Sequence, residues 1–201
     1  MLNKNLTIFF LIFFHSVLNS ACLEEHKHLL IFSKEKFYSA DFSQSFENKE
    51  KETIFGKIIL KKPYFLKVSN MNLNSIESEI IINEKSIYRI DYDLDQAVKY
   101  KKENIIHQIP AAFLLEDLES ICLNSAKIDC FDNSCAIFPK DKTYISKIDL
   151  IFDDTFITNI KYRDAFGDTS EVVITNFISQ PKLSSSVFSY NYEVKDLISL
   201  D

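Results

Sequence analysis

The sequence predicts a mainly β chain of the α+β class, built as one large curved antiparallel sheet or barrel with few helices. Three observations lead there. Phe and Tyr number 18 and 9 among 201 residues, and both suit a half-buried pleated surface. Apolar residues recur at period two through much of the chain, the spacing that puts successive side chains on opposite faces of a strand. Turn-forming clusters interrupt these runs at near-regular intervals: Asn72-Leu73-Asn74, Asn83-Glu84-Lys85, Asp93, Asp153-Asp154 and Gly167-Asp168.

In chain order, residues 1–21 have the parts of a secretory signal peptide. Lys4 supplies the positive end, and residues 6–14 are apolar apart from Thr7. That run is too short to cross a hydrocarbon layer about 30 Å thick. Small or polar residues follow in Asn19-Ser20-Ala21, and a cut after Ser20, Ala21 or Cys22 fits. Ser20-Ala21-Cys22 also has a partial likeness to a lipobox, which would make Cys22 a lipidated first residue; Asn19 stands where that motif has a large aliphatic side chain. The expected organisation is a signal peptide over 1–21 and a single exported domain over 22–201.

Residues 23–36 read as an amphipathic helix, with Leu29, Leu30 and Ile31 among Glu24, Glu25, Lys27, Lys34 and Glu35. After Phe42 and Phe46 the period becomes two. Ile54, Gly56, Ile58, Leu60 and Lys62 share one strand face, and Phe55, Lys57, Ile59 and Lys61 share the other. Further strands are expected over 64–68, 79–82, 86–91, 96–100, 126–130, 135–139, 146–152, 156–162, 170–175 and 186–192. Between them, 110–118 reads as a short helix, with Pro110 suited to its first turn. An antiparallel sheet of this size buries one face and must wrap around something, yet only two short helices are on offer. The mismatch suggests an interior partly left for an apolar ligand; a tightly packed barrel without a cavity fits the same pattern.

Export permits disulfides. Cys130 and Cys135 flank the turn-like Phe131-Asp132-Asn133-Ser134, and opposed positions across a hairpin lie within disulfide reach. Cys122 has a partner only if Cys22 is retained and close by. No His lies near the Cys130 and Cys135 pair and its spacing is not C-x2-C, so no metal site is expected.

The composition points away from several function classes. With 23 basic against 29 acidic residues the chain carries a formal charge of −6, without a basic patch for phosphates, so no nucleic-acid partner is expected. His26 and His28 lie two residues apart and do not face each other on a helix, and His107 stands alone. Nothing pairs Cys122 with His107 as a nucleophilic site, Asp153-Asp154 reads as a turn, and no glycine loop cradles phosphate. The expectation is no enzyme, no catalytic residue and no cofactor.

Several segments, in order, resemble the outer-membrane lipoprotein carrier (LolA) family. Residues 37–44 (Phe-Tyr-Ser-Ala-Asp-Phe-Ser-Gln) resemble its first strand, and 56–63 (Gly-Lys-Ile-Ile-Leu-Lys-Lys-Pro) its Gly-x-Leu-x-x-Lys-Arg-Pro element. Residues 87–96 resemble its Tyr-Asp-x-x-Leu-x-Gln strand-turn, 110–115 its Pro-x-x-Leu-Leu helix and 163–169 its Asp-x-x-Gly-x-Thr turn, followed by Thr175-Asn176-Phe177. Phe188-Ser189-Tyr190 and Asp196-Leu197-Ile198 resemble its terminal motifs.

The resemblance implies an unclosed antiparallel β-barrel with a helical lid over an apolar cavity for lipoprotein acyl chains. It implies a monomeric periplasmic chaperone that takes lipoproteins from an inner-membrane lipoprotein-releasing ABC transporter and passes them to an outer-membrane receptor. Lys62 matches the position of a family arginine that hydrogen-bonds the lid backbone and favours the closed form. Gly56, Ile58, Leu60, Leu66, Val68, Phe113 and Leu114 are the expected cavity and lid residues. Leu66 and Val68 stand where the family has aromatics, and Asn191-Tyr192-Glu193 where it has a proline. Two other readings share the fold: an outer-membrane-anchored receptor with lipid on Cys22, and a non-carrier envelope scaffold or stress-sensor domain.

Overall fold

The computed structural model describes Cys22, Leu29 and residues 36–47, 52–73, 75–153, 156–179 and 183–200. The expected signal peptide and almost all of the expected 23–36 helix lie outside the described residues.

Twelve strands form one sheet: β1 (Phe37–Phe46), β2 (Thr53–Lys61), β3 (Phe65–Asn72), β4 (Ser75–Ile82), β5 (Ser86–Asp91), β6 (Gln96–Lys101), β7 (Ser125–Phe131), β8 (Ser134–Pro139), β9 (Ile145–Phe152), β10 (Ile157–Asp164), β11 (Thr169–Ser179) and β12 (Asp196–Leu200). Their order across the sheet is β12-β6-β5-β4-β3-β2-β1-β11-β10-β9-β8-β7. Two meanders, β1–β6 and β7–β11, are joined where β1 pairs antiparallel with β11. The outer strands β12 and β7 stand at opposite edges, so the sheet stays unclosed. It is not antiparallel throughout, because β12 runs parallel to β6.

Alternation decides which face each side chain takes. Tyr38, Ala40 and Phe42 of β1, Ile58 and Leu60 of β2, and Leu66 and Val68 of β3 join Ile137, Ile148, Leu150, Ile160 and Ile174 in the main core. Leu29, described as helical, is fully buried in the same core. Gly56 lies opposite Phe42, and a Cβ there would sit 2.2 Å from the Ser69 carbonyl oxygen and 2.6 Å from the Phe42 ring. Only a hydrogen fits between this pair of strands.

The other face of β2–β6 is covered by the C-terminal segment. A 3-10 turn (Ser185–Phe188) buries Phe188 with Ile81, Ile90 and Ala97. Phe188 meets the Phe65 ring at 5.3 Å, Tyr190 stacks on Tyr88 at 4.9 Å, and Tyr192 meets Tyr92 edge-on at 5.5 Å. The strand expected over 186–192 is therefore corrected. Its period-two aromatics pack against rings on the back of the sheet rather than pairing in it, and strand geometry resumes only at Asp196. Beneath this segment a buried Glu79 accepts from Ser69 Oγ (2.6 Å) and Tyr92 OH (2.9 Å) and pairs with Lys67 Nζ (2.9 Å). Burial alone would raise the Glu79 carboxyl. The hydrogen bonds it accepts, with the Lys67 charge beside it, outweigh burial and hold the carboxyl below the ordinary range.

Gly56→Ala is expected to lower stability by about 3 kcal/mol, because the clash is with backbone and a packed ring. The urea midpoint measures it; an unchanged midpoint would contradict the packing described.

Candidate functional site

The concave face is filled by the segment linking the two meanders. It leaves β6 at Lys101 and crosses in short pieces: α1 (Lys102–Ile105), 3-10 turns at Ile106–Gln108 and Pro110–Leu115, and α2 (Leu118–Asn124). The single helix expected over 110–118 is thus two. Glu116 is extended at ψ 147°, ending the first piece, and Asp117 caps the second by accepting from the Ser120 amide at 2.8 Å. Ile105, Ile109, Ala112, Leu114, Leu115, Leu118 and Ile121 of this layer are buried against the sheet.

Toward β7–β9 the packing is incomplete. A cavity of about 310 Å³ lies between the layer and the sheet. Ile109, Ala112, Phe113 and Ile121 line it from the layer, and Ile137, Ile145 and Ile148 from β8 and β9. His107, Glu116, Lys140, Asp141 and Tyr144 also border it. With a water-sized group filling about 30 Å³ in a liquid, this space takes roughly ten methylenes.

Lys62 follows β2 and reaches up to the layer. Its Nζ donates to the Glu116 carbonyl oxygen at 3.0 Å, at the extended residue between the two helical pieces. Its own amide donates to the Lys36 carbonyl at 2.8 Å. Desolvation pushes the Lys62 ammonium down to about 7, against the opposing pull of Asp117 and Glu116. The Glu116 carboxyl is pushed up, first by burial and then by Asp117.

Gly56, Ile58, Leu60, Leu66 and Val68 all sit on the concave side of β2 and β3, where the last four pack into the core with Leu114. Phe113 lines the cavity; the structure places Ile58, Leu60, Leu66, Val68 and Leu114 in packed core rather than in its walls. The wall residues Ile137, Ile145 and Ile148 were not singled out by sequence. Their signal was available, since Ile137 alternates with the buried Cys135 and Ile148 with Leu150.

Two disulfides cross-link elements that also carry cavity residues, β8 and α2. Cys130 and Cys135, directly opposed across the β7–β8 hairpin, are bonded with Cα atoms 4.0 Å apart. Cys22 is bonded to Cys122 with Cα atoms 6.3 Å apart, anchoring α2 across a sequence separation of 100.

Comparison with known proteins agrees with this geometry. The family model described as outer membrane lipoprotein carrier protein LolA matches residues 33–191. An outer-membrane lipoprotein carrier protein of Legionella pneumophila (strain Lens) is 23% identical over 199 residues, covering 94% of this chain and 95% of its own. Among solved structures, an uncharacterized conserved protein of Thermus thermophilus has a TM-score of 0.56 at 10% identity, covering 88% of this chain and 98% of its own. A putative outer membrane lipoprotein-sorting protein domain of Vibrio parahaemolyticus has a TM-score of 0.54 at 11% identity, covering 85% and 97%. An open sheet filled by a helical layer, with an apolar hollow beneath it and a family match over most of its length, places this chain in the LolA family of outer membrane lipoprotein carriers.

Proposed function

We propose that this chain is a periplasmic chaperone that shields lipoprotein acyl chains beneath its helical layer and releases them at a second membrane. The observation that carries the reading is the Lys62 tie to the Glu116 carbonyl, which closes the layer over a hollow smaller than its cargo. Burying an acyl chain is worth about 0.8 kcal/mol per methylene, so a carrier that only bound would never let go. A layer that packs well when empty must be opened by the cargo, and that cost lowers the apparent affinity. The same physics suits loading from an inner-membrane lipoprotein-releasing ABC transporter and delivery to an outer-membrane receptor. Residues 1–21 act as the export signal, and the site needs no catalytic group or cofactor.

The pairing of Cys22 favours the carrier over an anchored receptor. A lipidated cysteine carries its lipid as a thioether on Sγ, and that sulfur is engaged here with Cys122. The intact mass of the exported protein checks this. An unlipidated chain that retains Cys22 is expected; a mass increased by a diacylglyceryl group would favour the receptor.

Lys62→Leu removes the donor to Glu116 and is expected to leave the layer open, so that lipoprotein stays bound when receptor is offered. Normal release by this variant would count against the lid role.

The tie should also respond to pH. Lys62 titrates near 7 when closed, against about 10.4 for a solvated lysine. Between these values the open form binds more protons, so raising the pH from 7 toward 10 favours closure. Acidification toward 7 favours opening, with little further change below. Asp117, Glu116 and, beside Glu116, His107 share the field. Uptake of an apolar fluorophore should therefore be stronger at pH 6.5 than at pH 9, and Lys62→Arg, always charged, should flatten the profile. A flat profile in the unaltered protein would contradict the assignment.

A further inference from the structure

The strand registers fix which turns share an end of the sheet. Ser45 pairs with Thr53, Asn72 with Ser75, Asp91 with Gln96, Arg163 with Thr169 and Asp164 with Ile145. The β3–β4, β5–β6, β8–β9 and β10–β11 turns therefore lie at one end. So do Asn124, Pro139, Lys140 and Tyr144, which border the cavity.

Three of these tips carry apolar side chains that touch almost nothing: Leu73 is 94% exposed, Phe166 94% and Leu94 68%. Leu73 is the most telling. Its φ is +52°, in the left-handed region, where the other described non-glycine residues are Asp95, Asp132 and Asn176. Aspartate and asparagine tolerate that conformation, whereas leucine is strained in it. A leucine between Asn72 and Asn74, strained and unpacked, adds nothing to the fold, and such an outlier points to function. Exposed Phe55, paired with Met71, and Ile76, also paired with Met71, form an apolar shoulder behind it. Phe55, Met71 and Leu73 border a further hollow of about 540 Å³.

We propose that this end of the sheet is a lipid-contacting rim, with Leu73 as its principal inserted side chain and Phe166 and Leu94 as secondary ones. Single apolar side chains on separate hairpins, spread along the rim of a curved sheet, suit a fluid bilayer better than a protein pocket, which needs a contiguous complementary patch. Charge selects the kind of bilayer. Asp91, Asp93 and Asp95 surround Leu94, and Asp164 and Asp168 flank Phe166; these acids outnumber Lys140, Lys142 and Arg163 at the same end, so an anionic surface is repelled and a zwitterionic one preferred. The contact stands independently of the carrier reading; its use rests on that reading. With the rim on a bilayer, an acyl chain leaving the nearby hollow enters lipid without crossing water.

Flotation of the purified protein with phosphatidylcholine vesicles tests this. The protein is expected to float. Leu73→Asn, which supplies a residue suited to the left-handed position and keeps the fold, should reduce the bound fraction roughly tenfold. Adding Phe166→Ser should abolish binding, and phosphatidylglycerol in the vesicles should weaken that of the unaltered protein. An unaltered protein that stays in the soluble layer, binds only anionic vesicles or floats equally well as Leu73→Asn overturns the rim. Protein that floats yet holds no acyl chain in solution leaves the rim standing and removes the carrier reading. Protein that holds acyl chain but never floats does the reverse.

Discussion

A twelve-stranded sheet that does not close has to be filled from within, and among the described residues one short helical layer, joined by Leu29, does it. The concave residues from Tyr38 to Ile174 share one core with that layer. The layer is itself broken at Glu116, where an extended residue separates a 3-10 turn from α2. An interruption in the middle of a lid leaves a backbone carbonyl to satisfy, and Lys62 satisfies it from the sheet. Filling and fastening thus meet at one hydrogen bond.

The unfilled remainder lies on the β7–β9 side, and this asymmetry gives the two halves of the sheet different work. Under β1–β3 the side chains interlock, with Gly56 allowing the Phe42 ring and the Ser69 backbone to approach closely. That half is a rigid wall. Around Ile137, Ile145 and Ile148 the core opens into the hollow, walled by β8, β9 and the inner layer. The back of the sheet is closed separately, by aromatic packing of the C-terminal segment over a Glu79–Lys67 pair.

The fold was largely legible because its signal is alternation. Ile58 and Leu60 against Lys57 and Ile59 announce a half-buried strand wherever that strand sits in the sheet. Alternation fails where aromatics alternate for another reason. Phe188, Tyr190 and Tyr192 have strand spacing but pack on rings of the sheet, and no local pattern separates these cases. The helical layer was half legible. Pro110 marked the start of its middle piece, but the sequence reading ran one helix through Glu116-Asp117, where Asp117 instead turns to cap α2. The site was the least legible part. Leu66 and Val68 are apolar and face inward, yet whether inward means core or cavity depends on what the opposite wall contributes. That wall comes from residues about seventy positions away.

The hollow beneath the inner layer is the proposed acyl-chain site in an opened form. Native mass spectrometry of the protein recovered from envelopes without detergent tests it most directly. The account predicts a fraction carrying lipoprotein whose acyl groups, photo-crosslinked, attach to Ile121, Ile137 or Ile148. Cargo-free protein under those conditions, or cargo crosslinked only outside these walls, would contradict it.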